Sequence, residues 1–483
     1  MRRGAVLLAL LATGCTTMEP AYVRPDPAIP ASWPAGDPYL AQAEAGLPVL
    51  TYDQVFRDPR LQALIAQGLT NNRDLMVAAA NIAAAREQYR IQRAQQLPTV
   101  NANAGVTATG DKSNTVSAQY DAGVSIPSFE VDLFGRVRSL THVQLQRYLA
   151  TEAGARATRL SLVGSITGAW LDYAADSSLR LIAEQTAAAA QKSVTLTRMR
   201  LQGGVAPRTD LDQAEQILAT AQADLARQRT AVAQDVNALQ LLVGAPIDPK
   251  LLAGSIDEAF GTIAPVPAGL DSYVLLRRPD VIQAEYQLRA ANAQIGAARA
   301  ALFPRITLTG LLGFASKALA SLLTGGAFGW SAGADATYTI FQAGAGHANV
   351  RLTEAQRSAA IATYQKTVQT AFRDVADALA RRGTINDEIG ARERQQAATA
   401  DTYTLTEARY RAGIDPFLTV LDAQRSYYAA QQQMVQTKLA AAQNIVAIYQ
   451  AIGGDASLQA TPVCQPLPGD KGAGPSLPQC TPA

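Results

Sequence analysis

The fold of this chain is decided by Arg277–Gly310, whose sequence is RRPDVIQAEYQLRAANAQIGAARAALFPRITLTG. Its first part has the spacing of a helix. Proline disfavours a helical conformation in the residue before it, so we expect this helix to end at Phe303, ahead of Pro304. Beyond Pro304 the apolar residues alternate with polar ones, which predicts a β-strand. One face of that strand carries Ile306, Leu308, Gly310, Leu312 and Phe314.

The same helix-to-strand change occurs about two hundred residues earlier. A helical pattern that begins near Asp74 reaches Leu97 and Pro98, and an alternating pattern follows it. Other segments also occur twice: the turn at 203–207 (GGVAP) resembles the turn at 412–416 (AGIDP). These pairs predict two internal repeats, each with long helices and two strands.

Two stretches predict unusually long helices. No proline interrupts the chain between Arg136 and Pro207, and nearly seventy helical residues would extend about 100 Å at 1.5 Å per residue. The second repeat has a helix of similar length. The last helix has a heptad pattern, which indicates coiled-coil packing against its neighbours. Its heptad positions are Leu421, Tyr428, Val435, Ala442 and Tyr449.

The fold class predicted from these patterns is mainly α with a small β part. The domain organisation follows from the repeats, the prolines and the composition of the ends. The segments are a signal peptide at 1–14, an extended segment at 15–57, repeat 1 at 58–245 with strands at about 99–109 and 117–127, a connector at 246–275, repeat 2 at 276–454 with strands at about 305–314 and 330–340, and a proline-rich tail at 455–483.

The N-terminus reads as a secretory signal. Arg2 and Arg3 precede a short apolar run that ends in Gly14-Cys15, and the run is too short to span a bilayer. This ending resembles the lipobox of bacterial lipoproteins, which implies cleavage before Cys15 and acylation of its thiol. An incidental cysteine after an ordinary signal peptide is the alternative. Thr16, rather than an aspartate, favours sorting to the outer membrane.

The other two cysteines, Cys464 and Cys480, lie in the tail. An oxidising compartment permits a disulfide between them, which would stabilise the chain by roughly 3 kcal/mol. Two free thiols are the alternative.

Composition excludes several functions. Lys and Arg number 42 against 40 Asp and Glu, so no basic surface for nucleic acid is expected. Two histidines and three cysteines leave little material for a metal or cofactor site.

The GWSAG at 329–333 matches the GxSxG of hydrolases, but that motif needs a helix after the serine and here a strand pattern continues. The histidines that could act as bases, His142 and His347, both lie in long-helix patterns. No catalytic residue is predicted.

The strands point to a membrane. About ten alternating residues match the length of an outer-membrane strand. Four strands cannot close a barrel, and open edges are not tolerated in lipid. Either several copies share one barrel, or this sheet does not lie in the membrane. The aromatic residues Trp330, Tyr338 and Tyr120 are expected at the lipid interfaces, with core packing as the alternative.

Five segments of the chain form a specific set: RRPDVIQAE with ALFPRITLTG, FEVDLFGR, TIFQAG, and RYRAGIDPFLTVLDAQRSYY. Together they resemble the outer membrane factors of bacterial efflux systems, of the TolC/OprM type and its lipoprotein (NodT-like) branch. The resemblance covers about residue 58 to Gly454.

The resemblance implies a homotrimer that pools twelve strands into one outer-membrane β-barrel, continued by a periplasmic α-helical barrel. It also implies a periplasmic adaptor protein and an inner-membrane pump of the RND class as partners, with outer-membrane lipid around the barrel and no nucleic acid. The protein would be a gated, passive exit duct without chemistry.

The resemblance also assigns residues at the periplasmic end. Asp422 and Leu418 match the positions that ring the closed pore, and Thr419 stands where some members carry a further aspartate. A solvated acid on the helix surface is the alternative for Asp422. Tyr410 and Asp210 match residues that tie the helical hairpins together in the closed state by a hydrogen bond, with an unpaired tyrosine at the rim as the alternative. The turn residues Gly203, Gly204, Val205, Gly413 and Ile414 are expected to dock the adaptor.

Three other functions stay open. The duct could serve protein secretion or metal-ion efflux, although the five methionines form no cluster that would mark a copper path. The chain could also be a periplasmic coiled-coil scaffold, tethered by Cys15, without a pore. A hydrolase built on Ser331 is the last of these alternatives to the efflux duct.

Overall fold

The structure is a computed structural model, and it describes residues 17–30, 33–34, 51–110, 116–264, 272–323 and 326–454. The signal peptide, Cys15, Cys464 and Cys480 lie outside these residues, so their predicted roles stay predictions. Within them no helix is both long enough and apolar enough to cross a membrane.

The described chain is mostly helical with one sheet, as the sequence predicts. In chain order its elements are α1 Tyr52–Val55, α2 Pro59–Asn71, α3 Arg73–Ala94, β1 Asn101–Gly110, β2 Val116–Val131, α4 Arg136–Gln202, α5 Arg208–Val243, α6 Ile256–Gly261, α7 Pro279–Ala300, β3 Arg305–Ser316, β4 Phe328–Thr337, α8 Ala345–Arg411 and α9 Phe417–Ala451. Short 3₁₀ turns occupy Pro249–Leu251, Ser272–Arg277 and Leu319–Ser321.

The chain divides into two compact units. Unit 1 comprises residues 1–27, 80–152 and 282–366, and unit 2 comprises 28–79, 153–281 and 367–483. The long helices α4 and α8, each of 67 residues, contribute to both.

Both helix-to-strand junctions are present in unit 1. Helix α7 ends at Ala300, a turn covers the next residues, and β3 begins at Arg305 directly after Pro304. Helix α3 likewise ends before Pro98, and β1 follows it. The prolines therefore separate the two kinds of structure as expected, because neither can continue a helical hydrogen-bond ladder.

The four strands form one antiparallel sheet in the order β1-β2-β3-β4. The cross-strand register puts apolar residues on one face and mostly polar or glycine residues on the other. For example, Val106 pairs with Tyr120, and Val124 pairs with Leu312, which in turn pairs with Trp330. The opposite face carries Asn103, Thr107, Gln119, Asp121, Ser125, Thr309, Ser331 and Asp335, with Leu311 as an apolar exception.

The strands differ from the predicted ranges at two places. Strand β2 continues to Val131, because a bulge between Ile126 and Phe129 accommodates Pro127 without ending the pairing. Strand β4 ends at Thr337, three residues before the predicted end. Thr337 pairs with Arg305, and the preceding Pro304 has no N–H to extend the ladder.

A pair of glycines, Gly123 and Gly313, brings β2 and β3 close together on the polar face. A Cβ atom at Gly123 would lie 2.7 Å from the Leu312 carbonyl oxygen, and one at Gly313 would lie 2.6 Å from the Ala122 carbonyl oxygen. Neither distance leaves room for a side chain, so this row of the sheet requires two glycines. Such glycine positions allow a sheet to curve.

We expect Gly123→Ala to destabilise the protein by about 1–3 kcal/mol, because the added methyl group would push against backbone atoms of β3. Urea or thermal unfolding of the purified protein measures this loss. The matched control is Gly329→Ala, in the same row of the sheet, where a Cβ would meet nothing within 4 Å. Equal stability of the two variants would contradict the close approach.

Residues 17–27 lie along helices of unit 1. The Glu19 carboxylate is 2.9 Å from Nδ1 of His142. The side-chain amide of Asn292 donates to the Pro20 carbonyl oxygen, and the Arg24 guanidinium donates to the Glu285 carboxylate. The Glu19 hydrogen bond raises the pKa of His142. Two glycines make room for the segment: a Cβ at Gly135 would lie 2.8 Å from Thr17, and one at Gly296 would lie 2.4 Å from Glu19.

The core of unit 2 is built around large side chains that are fully buried. Trp170 donates from its ring nitrogen to the Leu251 carbonyl at 3.0 Å, and Phe56 packs edge-on against Tyr449 with ring centroids 5.2 Å apart. Other fully buried residues of this core are Leu61, Leu64, Ile65, Ile166, Leu171, Leu239 and Ile256.

Candidate functional site

Two helical hairpins of unit 2 end in turns of the same construction. Hairpin 1 joins α4 to α5 through residues 203–207, and hairpin 2 joins α8 to α9 through residues 412–416. Each turn contains a glycine with positive φ, +71° at Gly204 and +76° at Gly413. The next residue, Val205 or Ile414, donates its N–H back to a carbonyl of the preceding helix. This is the glycine-dependent way to end a helix that the repeat predicted.

The two hairpins meet in a cluster of buried apolar side chains near these turns. The Tyr410 and Phe417 rings are 5.2 Å apart, and both side chains are buried. Because these residues come from all four helices of the hairpins, they hold the two turns of one chain together. We call this group the tip cluster: Val194, Ala214, Tyr410, Phe417, Val420 and Leu421.

The predicted pore-ring residues lie on the opposite side of α9 from the tip cluster. Leu418, Thr419 and Asp422 are exposed, whereas Phe417, Val420 and Leu421 are buried. Leu418 and Asp422 are four residues apart and therefore share one face of the helix. The turn residues expected to dock the adaptor, Gly203, Gly204, Val205, Gly413 and Ile414, are also exposed.

The predicted hydrogen bond between Tyr410 and Asp210 is not formed. The Tyr410 hydroxyl is buried and has no hydrogen-bond partner among the described residues. Burial raises the pKa of Asp210, and the nearby Arg200 offsets part of this shift. In this structure the Tyr410 ring packs into the tip cluster instead, and the bond to Asp210 in a closed state stays a prediction.

Arg200 makes a contact between the hairpins, close to the turns, that the sequence did not predict. Its Nη1 donates to the Tyr410 carbonyl oxygen at 2.9 Å, and its guanidinium carbon lies 4.6 Å from the centre of the Tyr410 ring. Tyr410 O is at the C-terminal end of α8, where a cation is favoured by roughly 0.3–1 kcal/mol. The cation–π contact adds to this attraction.

Arg409 holds the turn of its own hairpin. Its guanidinium makes two hydrogen bonds to Asp415, at 2.7 and 3.0 Å. The hydrogen bond from Arg409 lowers the pKa of Asp415. The neighbouring Arg411 pairs with Glu407 along the same helix. An arginine four residues before a turn glycine, with an aspartate two residues after it, is a signal that could have predicted this contact.

We expect Tyr410→Phe to leave the free energy of unfolding unchanged or slightly higher, because it removes a buried hydroxyl that has no partner. Tyr410→Ala, in contrast, should cost about 3–5 kcal/mol through the cavity it leaves. Urea unfolding of the purified variants measures both. A clear loss of stability in Tyr410→Phe would mean that the hydroxyl has a partner after all.

Three carboxylates form a second group of titratable residues in unit 2. Burial raises the pKa of Asp235 to about 7, and the negative charge of Asp176 contributes to this shift. The pKa of Asp172 is also raised by burial, although Asp172 accepts a 2.7 Å hydrogen bond from Gln443. No cluster of three metal-binding side chains able to hold an ion occurs in the part of the chain that the structure describes.

The raised pKa of Asp235 predicts a pH effect on stability. An acid whose pKa is higher in the folded state than in the unfolded state destabilises the fold progressively as the pH rises from its unfolded value to its folded value. Asp235→Asn should therefore raise the melting temperature at about pH 8 and leave it unchanged at about pH 4, relative to wild type. The control is Asp212→Asn, an exposed position on the same helix, which should behave like wild type at both pH values. An equal change in the melting temperature of Asp235→Asn at both pH values would indicate a packing effect instead.

The GxSxG sequence does not form a nucleophile elbow. Residues 329–333 all lie within β4, and Ser331 is paired with Leu311 of the neighbouring strand. His142 is occupied by Glu19 and Gln146. The strand-turn-helix geometry that the motif requires is therefore missing here.

Comparisons with known proteins agree with this geometry. The chain is 40% identical over 462 residues to a probable efflux pump outer membrane protein, TtgC, of Pseudomonas putida, covering 92% of this chain and 94% of that protein. It is 37% identical over 464 residues to the outer membrane protein OprJ of Pseudomonas aeruginosa, covering 93% and 95%. Its fold is similar to the open state of the Neisseria gonorrhoeae MtrE outer membrane channel, with a TM-score of 0.83, 34% identity and 92% and 99% coverage.

Long helical hairpins joined to a four-stranded sheet thus define an outer-membrane channel fold with α-helical and β-barrel parts. The family model for outer membrane efflux proteins matches residues 64–245 and 271–454. The chain belongs to the outer membrane efflux protein family, and it is an exit duct of the outer membrane rather than a member of an enzyme family. The predicted fold class, function and location are confirmed.

Proposed function

We propose that three copies of this chain form one gated duct, which passes small compounds from a periplasmic pump assembly to the outside. Each copy would contribute four strands to a twelve-stranded barrel in the outer membrane and two helical hairpins to a periplasmic tube. Transport through it would be passive and would involve no chemistry by the protein itself.

The sheet carries this proposal. One face is apolar along all four strands, the opposite face is mostly polar, and the edge strands β1 and β4 each have one neighbour among the described residues. In lipid, unpaired backbone N–H and C=O groups each cost several kcal/mol, so the edges need partners. Edge strands of neighbouring copies supply those partners and place the polar face toward the lumen.

The gate of the proposed duct is the end formed by the two turns. Three Asp422 side chains, with Leu418 on the same helix face and Thr419 beside them, would surround the axis. Three carboxylates about 6 Å apart repel by only about 0.7 kcal/mol per pair in water. That energy is too small to hold the hairpins apart or together, so contacts between the hairpins, including the tip cluster, decide the position of the helices, and Asp422 favours cations.

The partners follow from the position of the gate. The exposed turns around Gly203, Gly204 and Val205 and around Gly413 and Ile414 would receive a periplasmic adaptor, and the adaptor would connect the duct to an inner-membrane pump of the RND class. Acylation of Cys15 would attach the chain to the inner leaflet of the outer membrane.

Two cysteine variants on neighbouring positions of β1 test the duct directly. Thr107→Cys is on the polar face and Val106→Cys on the apolar face, and both would be made with Cys464 and Cys480 replaced by serine. A charged, membrane-impermeant thiol reagent added outside intact cells should label Thr107→Cys, because water fills the lumen, and leave Val106→Cys unmodified in lipid.

The purified protein provides the second measurement. It should run as a detergent-resistant trimer and conduct ions in planar bilayers. A monomer without conductance, with both cysteines labelled equally, would instead support the periplasmic scaffold.

A further inference from the structure

The two hairpins use equivalent arginines in different ways. Arg200 in hairpin 1 and Arg409 in hairpin 2 each lie four residues before the turn glycine with positive φ, Gly204 and Gly413. In each turn the carbonyl of that arginine accepts the N–H of the residue after the glycine. The backbones therefore match, and the difference is confined to the side chains.

The difference arises from one residue of the turn. In hairpin 2, Asp415 takes both hydrogen bonds of the Arg409 guanidinium. At the equivalent place in hairpin 1 the chain has Ala206, which offers no acceptor. Arg200 is therefore not held within its own turn, and it extends to hairpin 2.

The contact that Arg200 makes is well suited to a cation. The Tyr410 carbonyl oxygen already accepts the N–H of Gly413 at 2.9 Å. Arg200 donates to the remaining lone pair of this oxygen, also at 2.9 Å. The C-terminal end of α8 carries negative partial charge. The face of the Tyr410 ring, whose centre is 4.6 Å from the Arg200 guanidinium carbon, also attracts a cation. Arg200 thus completes the C-terminal cap of α8 from another hairpin.

We propose that Arg200 is the positioning residue that ties hairpin 1 to hairpin 2 and sets how readily the duct opens at its periplasmic end. The inference rests on the proposed function, because it assumes that the turns surround a pore. It replaces the expected Tyr410–Asp210 hydrogen bond with an arginine that holds the backbone of Tyr410. The side chain of residue 410 can then lose its hydroxyl without releasing the tie.

The test compares Arg200→Met with Arg409→Met, its counterpart in the other repeat. Methionine keeps most of the apolar stem and removes the charge. Single-channel conductance of purified trimers in planar bilayers, divided by the conductivity of the bulk solution, should rise several-fold for Arg200→Met. It should change much less for Arg409→Met, because the Arg409–Asp415 pair lies within one turn. Arg200→Lys should restore part of the wild-type value through its single charged donor.

Ionic strength separates an electrostatic tie from a merely structural role. Salt weakens partly exposed charge interactions, so the normalised conductance of wild type should increase with salt, while that of Arg200→Met should stay constant. Detergent-resistant trimers and unchanged melting temperatures would exclude misfolding as the cause. Uptake of a large antibiotic by cells that express each variant without a pump should follow the same order.

The results test the role of Arg200 separately from the existence of the duct. Channels of equal normalised conductance in wild type and Arg200→Met, with the same salt dependence, would overturn the role of Arg200 and leave the duct in place. Trimers that never conduct, at raised voltage and in every variant, would contradict the duct itself and with it the proposed role of Arg200.

Discussion

The structure depends on one requirement, that backbone hydrogen-bonding groups removed from water must be paired. In the part of the chain that the structure describes, β2 and β3 have neighbours on both sides, but β1 and β4 each have one. A sheet with an apolar face along every strand belongs in lipid, where two open edges are too costly to leave. The chain is thus incomplete by itself in the membrane. Neighbouring copies are the simplest source of matching edges, since β1 and β4 have the same length of ten residues.

Much of the fold follows from local sequence signals. Pro98 and Pro304 stop helices, and the alternation after each proline specifies a strand. Gly204 and Gly413 end the long helices, because only glycine takes positive φ there without strain. These signals act over a few residues, and each of them occurs twice because the chain contains two internal repeats. That redundancy is why the helices, the strands and the turns could be predicted from one sequence.

The contacts between hairpins could not be predicted in the same way. Arg200 and Tyr410 are 210 residues apart, and nothing local indicates which arginine of the two repeats crosses between hairpins. The resemblance to a family transfers residue identities, but it does not transfer the direction in which a side chain points. The resemblance therefore places Tyr410 at the hairpin end, and it does not predict the contact between the Tyr410 carbonyl oxygen and Arg200. The local sequence likewise does not indicate that Gly123 and Gly313 lie opposite each other, because their pairing depends on the register between β2 and β3.

The docking of residues 17–27 has a consequence for the order of folding. The Tyr22–Glu285 contact spans 263 residues, and Pro20 with Asn292 spans 272. Contacts of such long range form late, because the intervening chain must first be ordered. Residues 17–27 therefore find their binding surface only once α7 has folded. Their docking thus requires that folding has reached the first helix of the second repeat.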